Sequence, residues 1–413
     1  MSTSRDTRRI FKGLLINPVA PDRVEFYDPG YLVITGGRIE RVVDKDPRPE
    51  FPAAEFCAFD GKAILPGFID AHLHLPQFAI TGIGAGELLQ WLTTTTYPEE
   101  ARFADPAYAE KISTAFFDEL VANGTTTAMI YSSVHEHAVD IAFSAARAKG
   151  VRAFIGKVMM DRNSPATLQE QTGASIAASV RLCERWDGAD GGRLRYVYTP
   201  RFAAACSMEL MRRVGEIARE RGAFVQSHLS ESRDEVRWVG ELFPDSPSYT
   251  EVYDDAGILN ERCIMAHCIH LSSSETALLA ERQTKVAFCP YSNRNLRSGI
   301  MPYRRLRDAG LTIALGTDIA GGPSLSMFEQ MREAINAAAI TPDEALYLGT
   351  LAGANALGLS GCIGNFAPGK DADFVVAKPG AYATPGQALS QLCRSGNKES
   401  IAAVYVQGKL VYF

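Results

Sequence analysis

One recurring pattern constrains the fold most: a short run of apolar and β-branched residues is followed by an amphipathic or polar stretch, again and again along the chain. This alternation is typical of strand–helix units around a parallel sheet. The eight runs are AILPGFID (63–70), TTTAMIY (125–131), RAFIGKVMM (152–160), LRYVYT (194–199), AFVQSH (223–228), CIMAHC (263–268), KVAFC (285–289) and LTIALGTD (311–318). Eight such units predict an α/β fold, a TIM-type (β/α)8 barrel.

The two ends of the chain have a different pattern. Short alternating segments separated by turn residues occur near the N-terminus, in GLLINPVA and YDPGYLVITGGRIERVV, and near the C-terminus, in DADFVVAKPG and AAVYVQGKLVYF. They predict antiparallel strands that pair as one small β-sandwich module, with a hairpin turn at Gly408-Lys409. We therefore expect two domains: residues 1–66 with 365–413 form the composite β module, and residues 67–364 form the barrel.

Charge and composition exclude several classes of protein. The 42 basic and 48 acidic residues give a formal net charge of -6 without a long basic run, so we expect no nucleic-acid partner. The start MSTSRDTRR is polar, and no run approaches the roughly 18 apolar residues of a membrane helix. The eight cysteines are scattered without a C-x-x-C pair, which indicates reduced core residues. We expect a soluble cytoplasmic protein with no membrane partner.

Four histidines and a carboxylate fall where the predicted barrel strands end. Side chains at the carboxyl ends of barrel strands meet on one rim. His72 and His74 follow the first strand, and residues i and i+2 of an extended segment point to the same side. His228 ends the fifth strand, His267 the sixth and Asp318 the eighth. A set of neutral histidines with a carboxylate suits zinc or iron(II), so this convergence predicts a metal site.

Each of these residues also has a structural interpretation. A single histidine near a strand end is more often a hydrogen-bonded polar residue than a ligand, and taken alone His267 would be one. The second H-x-H pair, His135 and His137, precedes the helical segment HAVDIAFSAARAKG, where i and i+2 point apart. We interpret that pair as structural, and we assign no role to His270.

Glu231 is the candidate for moving protons. A metal of this kind lowers the pKa of water towards 7, but a general acid and base is still required. Glu231 lies three residues after His228 in SHLSE, close enough for its carboxylate to face the same site. Its structural alternative is a solvated glutamate at the start of the helical segment ESRDEVRWVG.

Segments in this order resemble the amidohydrolase superfamily: PGFIDAHLH, SHLSE, AHCIH and GTD at the strand ends, and APGKDADFVV at the return to the β module. The chain also resembles the guanine deaminase family over nearly its whole length. The segments that carry this resemblance are HLHLPQFAITGIGAGELLQWLTTTTYPEE, TPRFAAACS, FCPYSNRNLRSG and LGTDIAGGPSLSMFEQMREA. The resemblance implies one zinc ion per chain, with Fe2+ as the alternative, held by His72, His74, His228 and Asp318.

The resemblance also implies catalytic and substrate-binding residues. Glu231 would shuttle protons, His267 would orient the water, and Asp318 would also accept a proton. Residues that match purine-contacting positions, or a wall of the pocket, are Gln77, Trp91, Arg201 and Phe202. The implied reaction is hydrolytic removal of the 2-amino group of guanine, which gives xanthine and ammonia, in a homodimer of purine catabolism or salvage.

One difference from related proteins bears on the number of metal ions. Binuclear relatives use a modified lysine at the end of the fourth strand, where this chain has Thr199-Pro200-Arg201. Lys157 lies in the third strand and could point to the rim, but we expect a single metal.

Two alternative functions remain open from the sequence. The first is another deaminase or chlorohydrolase of the same superfamily, acting on adenine-type, cytosine or triazine rings. The second is a catalytically silent, zinc-stabilised binding protein. It predicts that a ligand or the proton shuttle is missing, and none is missing.

Overall fold

The structure, a computed structural model, describes residues 8–83 and 86–413. The strands of this part of the chain are β1 Arg8–Ala20, β2 Arg23–Thr35, β3 Arg38–Val43, β4 Glu55–Pro66, β5 Phe68–His74, β6 Thr125–Tyr131, β7 Arg152–Gly156, β8 Val158–Met159, β9 Leu194–Pro200, β10 Phe224–Leu229, β11 Cys263–His267, β12 Lys285–Phe288, β13 Ile313–Leu315, β14 Phe374–Ala377, β15 Ile401–Val406 and β16 Lys409–Tyr412.

The helices occupy the intervals between the barrel strands and the segment that leads back to the β module. Those of five or more residues are Tyr97–Ala101, Pro106–Ala122, Glu136–Lys149, Thr172–Trp186, Met208–Arg221, Arg233–Leu242, Tyr249–Asp255, Ser273–Glu281, Pro290–Asn295, Tyr303–Asp308, Met327–Ala338, Pro342–Leu348, Leu351–Ala356 and Pro385–Ser395. Gly150 follows its helix with φ of 77°, a left-handed conformation that ends helices and favours glycine.

The predicted barrel is confirmed. Its sheet has the order β13-β12-β11-β10-β9-β7-β6-β5, and the short β8 pairs separately with β9. The ladders of β10 with β9, β11 with β10 and β12 with β13 are parallel, as strand–helix units require. Beyond the last strand, the N–H of Asp318 donates to the carbonyl of His72 over 2.8 Å, which brings the final segment to the first strand.

Among the strand boundaries that differ from those of the apolar runs, two bear on the predicted site residues. The run 63–70 is divided, because β4 ends at Pro66 in the other sheet and β5 starts at Phe68. At the break, a side chain on Gly67 would meet Thr126 Oγ1 at 2.2 Å, so the close approach of that segment requires glycine. As a result, His72 and His74 lie inside β5 and not after it. Asp318 lies three residues beyond β13, in a loop.

The two chain ends form one seven-stranded sheet in the order β16-β15-β14-β4-β1-β2-β3, so the predicted pairing of the ends is confirmed. One pair, β1 with β4, is parallel, which the alternating pattern does not predict. The sheet curls so that its outer parts meet, since a side chain on Gly37 would touch the carbonyl of Gln407 at 2.7 Å. Residues from both parts share one core, among them Phe11, Ile39 and Tyr405.

The last hairpin turn lies one residue before its predicted position. Gln407 and Gly408 occupy the turn between β15 and β16, with φ of 48° and 70°. A two-residue turn of type I′ requires positive φ at both central positions, and the glycine there meets this requirement without strain.

By its internal contacts the chain divides into two units, 8–69 with 120–127 and 326–413, and 70–119 with 128–325. The domain boundaries expected from the sequence stay a prediction. All eight cysteines are free, and six of them are buried as expected, while Cys57 is half-buried and Cys362 is exposed. None of the helices in residues 8–83 and 86–413 has the length and apolar character needed to span a membrane.

Candidate active site

The carboxyl ends of the barrel strands bring the five predicted residues together. His72, His228, His267 and Asp318 each offer one ligand atom, and these atoms lie within 4.8 Å of one another. His74 joins them, because its Nε2 lies 3.1 Å from Nε2 of His228 and 3.3 Å from Oδ1 of Asp318. All five side chains are buried. We call these five residues the histidine–aspartate cluster.

Local backbone conformation directs these side chains. His72 and His74 lie at positions i and i+2 of β5, and their ring centroids are 5.0 Å apart. His267, the last residue of β11, has φ of 72°, and Asp318 has φ of 50°. A non-glycine residue in this left-handed region costs of order 1–3 kcal/mol, and such strain is concentrated at functional sites.

Hydrogen bonds outside the cluster determine which nitrogen of a ring faces inward. Nδ1 of His228 donates to the carbonyl of Arg201 over 2.6 Å, and Nδ1 of His267 donates to Oδ1 of Asn293 over 2.8 Å. In both rings Nδ1 is thus occupied, and Nε2 is the nitrogen that faces the cluster.

Two of the inward nitrogen atoms lack a hydrogen-bond partner among the described residues. Within residues 8–83 and 86–413, no well-oriented hydrogen bond reaches Nε2 of His72 or Nε2 of His267, although both atoms are buried. A buried polar atom without a partner is costly. A divalent ion at the meeting point of these nitrogens and Asp318 would satisfy them, and histidine with carboxylate is a donor set that suits zinc.

The pKa values in the cluster favour the forms that bind metals. Burial lowers the pKa of His72, and it lowers the pKa of His74 to about 4. The pKa of His228 is lowered by burial and then by the neighbouring histidine rings. Burial alone would raise the pKa of Asp318, but the imidazoles of His72 and His74, whose Nε2 atoms lie 3.2 and 3.3 Å from its Oδ1, hold it well below its usual range. Neutral imidazoles beside an ionised carboxylate are the ligand states that a metal requires.

Glu231 lies at the edge of the cluster. Its Oε2 is 3.4 Å from Nε2 of His267, and its Oε1 accepts a hydrogen bond from the Ser298 hydroxyl over 2.9 Å. Burial, and then the charges of Asp318 and Glu235, raise the pKa of Glu231 well above its usual value. A raised pKa favours the protonated form of a carboxyl group, which is the form that acts as a general acid.

The segment after β10 places Glu231 outside the helix that follows. Ser232 is the N-cap of the helix Arg233–Leu242, and its side chain accepts from the N–H of Glu235. The Glu235 carboxylate in turn accepts the backbone N–H of Glu231 over 2.8 Å. The same carboxylate accepts the N–H of Ser232 over 3.2 Å, which completes a capping box. Glu231 itself is buried, so the solvated glutamate considered from the sequence is not what the structure shows.

A cavity adjoins the cluster, and His74, His228, His267 and Asp318 form part of its lining. It is lined by all four residues predicted to contact substrate, which are Gln77, Trp91, Arg201 and Phe202, and by Leu88, Leu92 and Leu296. The four predicted residues are buried. Aromatic and leucine side chains with two polar groups suit a flat ring that has hydrogen-bonding edges.

The other candidates from the sequence lie elsewhere. Nζ of Lys157 contacts Glu170 and lies 3.2 Å from the Ser175 hydroxyl, so it faces these residues and not the cluster. Nε2 of His137 lies 3.2 Å from a backbone carbonyl, that of Phe103. Nε2 of His270 lies 2.8 Å from the carbonyl of Ser298, which itself contacts Glu231.

Three residues around the site are not predicted from the sequence: Glu100, Asn293 and Ser298. Glu100 contacts both Gln77 and Arg201, Asn293 orients His267, and Ser298 holds Glu231. All three lie in segments that carry the resemblance, TYPEE and SNRNLRSG. Each partner is far away in the chain, and no local spacing indicates it.

Comparisons with known proteins agree with this geometry. The model of the amidohydrolase family matches residues 63–411. The chain is 38% identical to guanine deaminase of Escherichia coli (strain K12) over 409 residues, which covers 94% of this chain and 92% of that protein. It is 36% identical to guanine deaminase of Homo sapiens, over 84% of this chain and 82% of that protein. A guanine deaminase from C. acetobutylicum, solved with guanine bound in its active site, superposes with a TM-score of 0.93 at 32% identity, over 98% of this chain and 100% of that one.

Proposed function

The chain belongs to the amidohydrolase family and, within it, to the guanine deaminases, and on this premise we propose that it hydrolyses guanine to xanthine and ammonia. One observation carries the proposal: the cavity that the cluster adjoins is walled by Gln77, Arg201, Trp91 and Phe202, as a flat purine requires. The enzyme acts on a small molecule at a buried site.

We propose a single zinc ion per chain, with Fe2+ as the alternative. His72, His74, His228 and Asp318 would hold it, because their inward atoms converge and are in the protonation states of ligands. When bound, such an ion supplies Lewis acidity that makes water nucleophilic near neutral pH. His267, oriented by Asn293, is proposed to position the attacking water through its free Nε2.

Proton transfer is assigned to Glu231. The oxygen of water bonds to C2 of guanine, and Glu231 takes a proton from the water and delivers it to a ring nitrogen. Asp318 accepts the second proton, which passes to the amino group as the C2–N bond breaks. The products are xanthine and ammonia, so all atoms of guanine and water are accounted for.

The walls of the cavity hold the purine during these steps. Arg201 and Gln77 offer N–H donors to ring and carbonyl acceptors, and Phe202 and Trp91 contact the ring faces. Fixed donors stabilise charge that develops on the ring as water adds, because they need no reorganisation at that moment.

We also propose a homodimer that acts in the cytoplasm in purine catabolism or salvage. The support for these three points is the similarity to guanine deaminases over nearly the whole chain. Light scattering of the purified protein tests the dimer: a mass of two chains supports it, and a mass of one chain contradicts it.

A substrate panel tests the proposed activity against its alternatives. Metal-loaded protein is assayed for ammonia release from guanine, adenine and cytosine, and for chloride release from a chlorotriazine. We expect guanine to be preferred at least about a hundredfold in kcat/KM, since mismatched hydrogen-bonding groups are strongly rejected. Preference for another ring would assign the chain to that specificity. Full metal content without any turnover would support a binding protein.

A further inference from the structure

Glu100 lies behind the substrate cavity, on the short helix Tyr97–Ala101, and only 6% of it is exposed. Its Oε1 accepts a hydrogen bond from Nε2 of Gln77 over 2.9 Å, and its Oε2 accepts one from Nη1 of Arg201. Gln77 and Arg201 line the cavity, whereas Glu100 is not among the described residues that do. A single buried carboxylate therefore holds both polar side chains of the substrate wall.

The amide of Gln77 is held from two sides. Its Nε2 faces Glu100, and its Oε1 accepts the backbone N–H of Ala320 over 3.2 Å. A carboxylate can only accept and a backbone N–H can only donate, so these two partners permit one orientation of the amide. The second N–H of Gln77 is consequently presented in a defined direction.

Glu100 also balances the charge of Arg201. Arg201 is 2% exposed, and besides Glu100 its guanidinium lies over the ring of Tyr97, at 5.0 Å from the centroid. An unpaired buried cation would be costly and would favour anions in the cavity. Paired with Glu100, the guanidinium offers N–H donors without a net positive charge, which suits a neutral purine.

We propose that Glu100 is a positioning residue that sets the donor pattern of the substrate wall, and through it the preference for a purine with oxygen at position 6. This inference rests on the proposed function. The oxygen at position 6 of guanine accepts hydrogen bonds, whereas 2,6-diaminopurine carries a donor there. Both molecules have the 2-amino group that leaves, and they differ only at position 6 and the adjacent ring nitrogen.

The test compares Glu100→Gln with a matched control, Glu99→Gln. Glu99 is the neighbouring residue on the same helix and is 7% exposed, but its partners are Arg102 and Tyr108, away from the cavity. For each variant, kcat and KM are measured with guanine and with 2,6-diaminopurine, together with metal content and Tm.

We expect Glu100→Gln to lose at least about tenfold in kcat/KM for guanine and about tenfold in the ratio of guanine to 2,6-diaminopurine. The reason is that a glutamine at position 100 can donate as well as accept, so the amide of Gln77 loses one of the two partners that fix its orientation, and Arg201 loses its counter-charge. Glu99→Gln should stay within about twofold of the wild type in this ratio. An unchanged ratio in Glu100→Gln would overturn the proposal, even if both rates fell together.

If Glu100→Gln does not fold, a second variant tests the positioning role of Glu100. Glu100→Asp keeps the charge and shortens the reach, so it should lower the selectivity ratio by at least about threefold while the metal content is retained. An unchanged ratio in Glu100→Asp would overturn the proposal. Failure of the wild type to deaminate guanine is a separate result, which would contradict the proposed function itself.

Discussion

The Nε2 atoms of His74 and His228 lie 3.1 Å apart, although 154 positions separate the two residues in the chain. The Nδ1 atom of His228 already donates to the carbonyl of Arg201, so its Nε2 is an acceptor. A cation at this point would accept the lone pair of each Nε2 atom, as the proposed metal site requires. Burial lowers the pKa of both imidazoles, which favours the neutral forms that bind a metal ion.

Removal of the metal is expected to abolish turnover and lower Tm. A ligand that binds only the folded state stabilises it by about 2.7 kcal/mol at a concentration of 100 Kd, and chelation removes this contribution. His74→Asn should lower the metal content in the same way. The matched control is His137→Asn, whose imidazole contacts the Phe103 carbonyl. Loss of metal in the control but not in His74→Asn would contradict the assigned site.

The stability of the metal-free protein should depend on pH through His74. Its pKa is about 4 in the folded state against 6.5 for a free histidine, so the unfolded chain binds the extra proton between these values. Stability is therefore full above about pH 6.5 and falls by about 3 kcal/mol as the pH drops to about 4. Urea unfolding across this range measures it. The curve of His74→Asn should be flatter, and parallel curves would refute the assignment.

Glu231→Gln should retain the metal and lose turnover by about a thousandfold, because an amide cannot carry the proton. Ser298→Ala should have a smaller effect, about tenfold, since it removes only the hydrogen bond to Oε1 of Glu231. Metal content and steady-state rates are the measurements. A near-normal rate in Glu231→Gln would exclude Glu231 as the proton shuttle.

Arg201→Met should destabilise the fold by about 3–5 kcal/mol, since it leaves the buried Glu100 carboxylate without its cation. Adding Glu100→Gln in the same chain should recover part of this loss, because the remaining group is neutral. Chemical denaturation at fixed metal concentration measures both. If Arg201→Met and the double variant were equally stable, the ion pair with Glu100 would not be the reason why Arg201 stabilises the fold.

The parts of this molecule that a local pattern determines were predictable from the sequence. Each of the eight apolar runs overlaps one barrel strand, and His72 with His74 share one side of β5 because extended residues alternate. Local patterns fail where long-range pairing decides. In the chain, β2 and β3 lie between β1 and β4, which pair in parallel. Hydrophobic alternation is the same in parallel and antiparallel strands, so it does not predict this pairing.

The candidate site also contains residues that the sequence pattern predicts and residues that only long-range contacts reveal. His228 and His267 were found because strand ends converge in a barrel, and this topology does not depend on details of the loops. Glu100 was not found, since its partners lie 23 and 101 positions away and TYPEE alone indicates only an acidic helix. The signal that could have found it is chemical: a buried arginine such as Arg201 requires a buried carboxylate.

The most direct test of metal-dependent hydrolysis is turnover of guanine in water labelled with heavy oxygen. Purified protein is analysed for metal, mixed with guanine, and followed by mass spectrometry of the product together with an ammonia assay. We predict xanthine that carries one heavy oxygen atom, one ammonia for each xanthine, and loss of both after chelation with recovery on adding zinc. Protein with a full equivalent of metal that leaves guanine unchanged would contradict the account.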